Sequence, residues 1–156
     1  MNKLRRSAAF IIVAILALGA VACGGSSKNT PDGVAKAYWE AVFKGDAKAV
    51  REYTAGGKEL TEKNGEPDES GEESVDAKVK VESKKEVAEA DHADIIAYYI
   101  MSFGNEEIAT EVSSKITSIY SVTLSVSASG EETGEITTYV GKIDGDWKFL
   151  YPDFGI

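Results

Sequence analysis

From Tyr120 to the carboxyl end the chain alternates apolar and polar residues with period two, and this feature limits the fold more than any other. Tyr120, Val122, Leu124 and Val126 alternate with Ser121, Thr123, Ser125 and Ser127, so one face of an extended segment is apolar and the other carries hydroxyls. A turn region at Ser129-Gly130 leads to a second strand through Ile136, Tyr139, Val140 and Ile143. Asp144-Gly145 is the strongest hairpin signal in the chain, and Trp147, Phe149 and Tyr151 follow it with the same period. Three adjacent antiparallel strands are therefore predicted at the carboxyl end. Such a sheet needs a second layer to cover its apolar face.

Helical signals supply that layer. Thr30-Pro31-Asp32 reads as an N-cap followed by proline at the first helical position, and Val34, Ala37, Tyr38, Ala41 and Val42 recur at helical spacing up to Gly45. Asp46 caps a second short helix through Ala49, Val50 and Tyr53. The stretch 55–74 then turns polar and acidic, with Glu59, Glu62, Glu66, Asp68, Glu69, Glu72 and Glu73 against only Lys58 and Lys63. It reads as a solvated loop; a calcium loop would need an ordered Asp-x-Asp-x-Asp-Gly spacing that is absent. Val75, Ala77, Val79 and Val81 alternate with charged residues, which predicts a half-buried strand. Asp91 offers an N-cap to a short apolar helix from Ile95 through Ile96, Tyr98, Tyr99, Ile100 and Met101 to Phe103, stopping at Gly104. This helix could begin nearer Lys84, and its β-branched and aromatic residues leave extended structure open. Beyond Asn105 the pattern favours sheet. Helices first and a meander last indicate an α+β domain, with N-terminal helices packed on one face of an antiparallel sheet that ends in a C-terminal β-meander.

The amino end has a different character. Lys3, Arg5 and Arg6 form a short basic head, and an unbroken apolar run follows from Ala8 through Phe10, Ile11, Ile12 and Val13 to Leu18. That is the layout of a secretory signal over residues 1–22. A permanent membrane span would need about 20 apolar residues, and this run ends at Cys23 against Gly24-Gly25-Ser26-Ser27. Ala20-Val21-Ala22-Cys23 resembles the lipobox of bacterial lipoproteins, a small-residue tripeptide before an obligatory cysteine, with alanine at the first position where leucine is commoner. The resemblance implies cleavage before Cys23, a diacylglycerol thioether on its sulfur, acylation of the new amino terminus, and anchoring of the exported chain to the cell membrane. Each buried methylene contributes about 0.8 kcal/mol, so two or three acyl chains hold where one would not. Cys23 is the single cysteine of the chain, which excludes an internal disulfide and leaves a thiol that lipidation accounts for.

Charge narrows the partners. Of the 17 basic residues three lie in the leader, which leaves 14 against 26 acidic ones and a net charge of −12 from Cys23 onward. A chain this acidic is a poor ligand for nucleic acid phosphates. Anionic lipid repels it as well, so the lipid acts as tether while the globule stands off the surface. Residues 23–29 are small and polar and read as a flexible linker, and residues 30–156 fit a single domain.

A second resemblance covers the two ends of that domain. Thr30-Pro31-Asp32-Gly33-Val34-Ala35-Lys36-Ala37-Tyr38-Trp39 with Gly45-Asp46, and Asp144-Gly145-Asp146-Trp147-Lys148-Phe149, look like the ends of small envelope lipoproteins with the nuclear-transport-factor-like fold. That resemblance implies a cone, a strongly curved sheet wrapped against helices around a pocket. Its members include isomerases, dehydratases, hydrolases and non-catalytic binding modules, so fold alone does not choose among them. No catalytic residue, metal set or cofactor motif is recognisable: there is no Gly-x-Ser-x-Gly, no His-Glu-x-x-His, no glycine-rich phosphate loop and no paired cysteines. The single histidine, His92, reads as an exposed residue in a first helical turn. The aromatics Tyr38, Tyr98, Tyr99, Trp147, Phe149 and Tyr151 are either core or the wall of a ligand pocket. The sequence thus points to a non-catalytic binding or interaction module, taking a small apolar ligand or an envelope protein. The alternative is a small pocket enzyme using tyrosine and carboxylate acid-base chemistry.

Overall fold

The computed structural model describes residues 29–68, 74–129 and 131–153. The leader, Cys23, all but the last residue of the linker, part of the acidic stretch and Gly130 of the expected turn lie outside the described residues. Helix α1 (Pro31–Lys44) opens where the Thr30 hydroxyl accepts a hydrogen bond from the Gly33 N–H at 3.2 Å, and closes at Gly45, whose φ of 68° is the left-handed cap. Helix α2 (Ala47–Tyr53) is capped by the Asp46 carboxylate, which accepts from the Ala49 N–H at 2.9 Å. Both caps are those expected from the sequence.

Helix α3 (Gly57–Asn64) occupies part of the stretch read as loop. It carries one large apolar residue, Leu60, which packs against the core, so no helical stripe marks it in the sequence. Strand β1 (Ala77–Glu86) extends five residues past the alternating pattern, pairing Lys84, Lys85 and Glu86 with Val122, Ser121 and Tyr120. That pairing excludes a helix starting at Lys84. A 3₁₀ turn at Glu89–Asp91 leads into helix α4 (His92–Ser102), and Asp91 makes no side-chain capping bond there. A further correction follows Asn105, where the sequence favoured sheet. The Asn105 side chain accepts from the Ile108 N–H at 3.2 Å and starts helix α5 (Glu106–Ser113), which buries Ile108, Ala109 and Val112.

Strands β2 (Ile116–Ala128), β3 (Glu131–Ile143) and β4 (Asp146–Asp153) form the predicted meander, and β1 adds to β2 to give one antiparallel sheet in the order β1-β2-β3-β4. Asp144 and Gly145 turn the last hairpin at φ 51° and 91°, the two positive values that the favoured two-residue turn demands. The fold is α+β.

The helices do not share one face of the sheet. Neighbouring residues of a strand point to opposite faces, and here they join different clusters. Val122, Leu124 and Val140 pack with Val34 and Ala35 of α1, whereas Ile119 and Tyr139 pack with Ile95 and Tyr99 of α4 and with Ile108 and Val112 of α5. The sheet is therefore covered by α1 on one side and, at one end, by the α4 and α5 pair on the other. A bulge in β4 serves this second cluster. Tyr139 pairs with Tyr151 and Val140 with Phe149, so Leu150 is the extra residue, and both Leu150 and Tyr151 reach the α4 side. Leu150 lies over Gly141, where a Cβ would stand 3.3 Å from both of its methyls.

The turn from α2 into α3 is drawn tighter still. A Cβ on Gly57 would lie 1.8 Å from the Arg51 backbone oxygen, which cannot withdraw as a flexible side chain could. Gly57→Ala should therefore cost about 2 kcal/mol or more of stability by urea denaturation, while Lys58→Ala, at an exposed position next to it, stays within about 0.5 kcal/mol. Equal midpoints for the two variants would show that α2 and α3 are not held this closely.

Candidate functional site

Two of the expected aromatic residues meet face to face. The Tyr38 ring of α1 stacks on Phe149 of β4 with centroids 3.5 Å apart and planes 6° from parallel. Trp39 stands edge-on to both, at 5.5 and 6.4 Å, and its Nε1 donates to the buried Thr138 hydroxyl at 3.0 Å. This hydrogen bond crosses from α1 to β3 and fixes the helix rotation that turns Tyr38 toward β4.

Beside the stacked pair lies an open cleft of about 550 Å³ between α1, α2, the start of α3 and β4. Its volume falls in the range of small-molecule sites. Tyr38, Phe149 and Tyr151 line it together with Leu60 and Phe103. The aliphatic hydroxyls that border it are engaged internally, Thr54 donating to the Val50 carbonyl at 2.7 Å and Ser102 to that of Tyr99 at 3.2 Å. Arg51 is the one charged side chain in the lining among the described residues. Its Nη1 donates to the Gly65 carbonyl at 2.8 Å. Burial pushes the Tyr38 hydroxyl pKa above the ordinary phenol value. Tyr151 is raised further, by burial first and then by Tyr139, Asp153 and Tyr98. Both phenols therefore stay neutral at physiological pH.

The other expected residues lie apart from this cleft. Tyr99 is fully buried and donates its hydroxyl proton to the Ala55 carbonyl at 2.9 Å. Tyr98 is 42 % exposed on α4, its ring 4.6 Å from that of Tyr151. Trp147 packs edge-on to Tyr120 at 5.3 Å with the Lys142 ammonium over its ring. Arg51, Leu60 and Phe103 were not singled out by the sequence. Phe103 had a signal, as the last residue of an apolar helix; Arg51 had none, since one arginine in a short helix is ordinarily a solvated charge.

A second, larger groove of about 880 Å³ runs between the end of β1, β2 and the start of α4. Polar groups line it, among them Glu86, Glu89, Asp91 and Asp94. His92 Nε2 lies 3.1 Å from the Val87 carbonyl oxygen, which can only accept, so this nitrogen carries the proton and the ring pins the strand end to the helix start. No group of three His, Cys, Asp or Glu side chains among the described residues is arranged to hold a metal ion.

Comparison of the chain with family models, with curated proteins and with solved structures returned no match. The chemistry of the site therefore rests on its own residues. The apolar cleft offers shape, aromatic surface and one cation. Neither a carboxylate nor an imidazole borders it among the described residues.

Two tyrosines with raised pKa values, Tyr99 and Tyr151, make stability depend on alkaline pH. The Tyr99 hydroxyl is raised by burial first and by the Glu59 charge second, and Tyr151 is raised as well. Unfolded tyrosine ionises near pH 10, so the folded state binds more protons above that pH and loses stability as pH rises toward the folded values. The contribution is fully present below about pH 10 and falls by up to about 1.4 kcal/mol per pH unit for each tyrosine. Urea midpoints should drop from about pH 10 upward, and Tyr99→Phe should flatten the slope. A profile level to about pH 11 would contradict this.

Proposed function

We propose that this chain is a membrane-tethered envelope lipoprotein whose globular domain binds a small, partly apolar molecule without transforming it. The observation that carries the binding reading is the cleft beside Tyr38 and Phe149, walled by aromatic and aliphatic groups and bordered by a single cation. A binder needs only shape and a few polar groups, whereas an enzyme must also place groups against a transition state. The cleft's phenols are neutral at physiological pH, as tyrosines ordinarily are, and burial raises them further. Neither a carboxylate nor an imidazole borders the cleft itself among the described residues.

The tether is proposed on Ala20-Val21-Ala22-Cys23 and the basic and apolar leader before it. No helix among the described residues is long and apolar enough to cross a membrane. Kinship with nuclear-transport-factor-like lipoproteins is proposed on the order of the elements, helices first and a meander last. One observation favours a second reading, capture of an envelope protein: Met101 is 81 % exposed on the same helix as the exposed Tyr98.

Expression in a lipidating bacterium tests the tether. Cys23→Ser should move the protein out of the membrane fraction and remove the lipid mass, and a membrane-free mature protein carrying unmodified Cys23 would end the lipoprotein reading. Native mass spectrometry tests the binder. A retained small molecule, recovered unaltered after incubation, is the expected result. Turnover that vanishes when Tyr38 or Tyr151 is changed to Phe would replace it with the enzyme, and co-purification of another protein, lost in Met101→Asp, with the partner.

A further inference from the structure

We infer that the cleft takes an anionic amphiphile, its chain or ring against Tyr38, Phe149, Leu60 and Phe103 and its carboxylate or phosphate head on the Arg51 guanidinium. The inference rests on the proposed binding role of the cleft and assigns its ligand class. From Cys23 onward the chain has a net charge of −12, with acidic groups outnumbering basic ones 26 to 14. A lone cation on an apolar wall is the exception to that pattern. Among the described residues Arg51 forms no ion pair; the nearby Glu66 faces Lys48 at 3.9 Å, and the other bridges lie elsewhere.

The guanidinium is also held in place. Its Nη1 bond to the Gly65 carbonyl uses one of five N–H donors and fixes the plane of the fork. Its Cγ stands 3.2 Å from where a Cβ on Gly57 would lie, so the side chain crosses the first residue of α3. Gly57 borders the cleft too, and the cap residue Gly56 offers no side-chain acceptor to the amino end of that eight-residue helix. The first turn of that helix already carries the carboxylate Glu59, so the planar Arg51 cation is what marks this rim of the apolar cleft, and it favours an acidic head over a neutral or basic one. The neutral phenols of Tyr38 and Tyr151 add no repulsion.

Photocrosslinking of the full chain with a diazirine-bearing fatty acid, followed by peptide mapping, reads this directly. Label should fall on peptides of α1, α2 and β4. Dodecanoate and dodecyl phosphate should each displace it about tenfold or more better than dodecanol or dodecylamine. The order of the two acids separates a fatty acid from a phospholipid-like source. Arg51→Gln should erase the advantage of the acids while dodecanol still competes, which also shows that the variant is folded, and Arg51→Lys should restore part of it. Equal competition by dodecanol and dodecanoate in the wild type would overturn the anion preference and leave the apolar binder standing. Absence of cleft label, with label only elsewhere on the chain, would overturn both.

Discussion

The backbone of Ala55 is the joint on which the arrangement depends. Its N–H donates to the Phe149 carbonyl at 2.8 Å and its own carbonyl accepts the Tyr99 hydroxyl at 2.9 Å. One fully buried residue thereby ties the helical amino end to the edge of β4 and to α4, elements that no short loop connects. Thr54 extends the joint as a parallel bridge to Phe149. A β4 edge left open would invite strand addition, and this segment occupies it at Phe149. The opposite edge, β1, is protected by charge instead, with Lys78, Lys80, Lys84 and Lys85 along it.

Because Ala55 holds the chain against Phe149, α2 packs beside α1 while α3 turns toward α5, where Lys63 bonds Glu107, and the cleft lies where these elements meet β4. The two glycines after Ala55 make this possible. Gly56 takes φ +78° with Phe103 and Ile108 directly over its Cα, and Gly57 touches the Arg51 backbone. Neither position accepts a side chain without a shift. The β4 bulge completes the geometry from the other side, since it lets Phe149 serve the α1 layer while Leu150 and Tyr151 serve the α4 layer.

What could be read in advance depended on whether the cause was local. The caps at Thr30 and Asp46, the Asp144-Gly145 turn and the alternation from Tyr120 are interactions among near neighbours, and each stands where the sequence put it. Helices α3 and α5 were missed because eight-residue helices draw their stability from tertiary contacts, such as Leu60 on the core and Lys63 bonded to Glu107 across the two. Asn105 followed by Glu106 and Glu107 was a legible start signal for α5, outweighed by the strand pattern just after it. The site was half legible. Aromatic content identified Tyr38, Phe149 and Tyr151 but could not separate them from Tyr99, whose burial and bond to Ala55 arise from a contact 44 residues away. Arg51 has no sequence motif, and its place follows from the turn at Gly56-Gly57.

An acidic protein with a single arginine at the border of its cleft poses an electrostatic question of range. Surface charges act through water and salt and are largely screened beyond a Debye length of about 8 to 10 Å. The carboxylates of the second groove, Glu86 and Asp94 among them, border none of the cleft. An anion seated in the cleft beside Arg51 would gain a charge-assisted hydrogen bond, which is stronger than a neutral one. On the proposed reading the acidic surface acts at long range, where salt screens it, while Arg51 acts at contact on the molecule the cleft takes. These two roles coexist because their length scales differ.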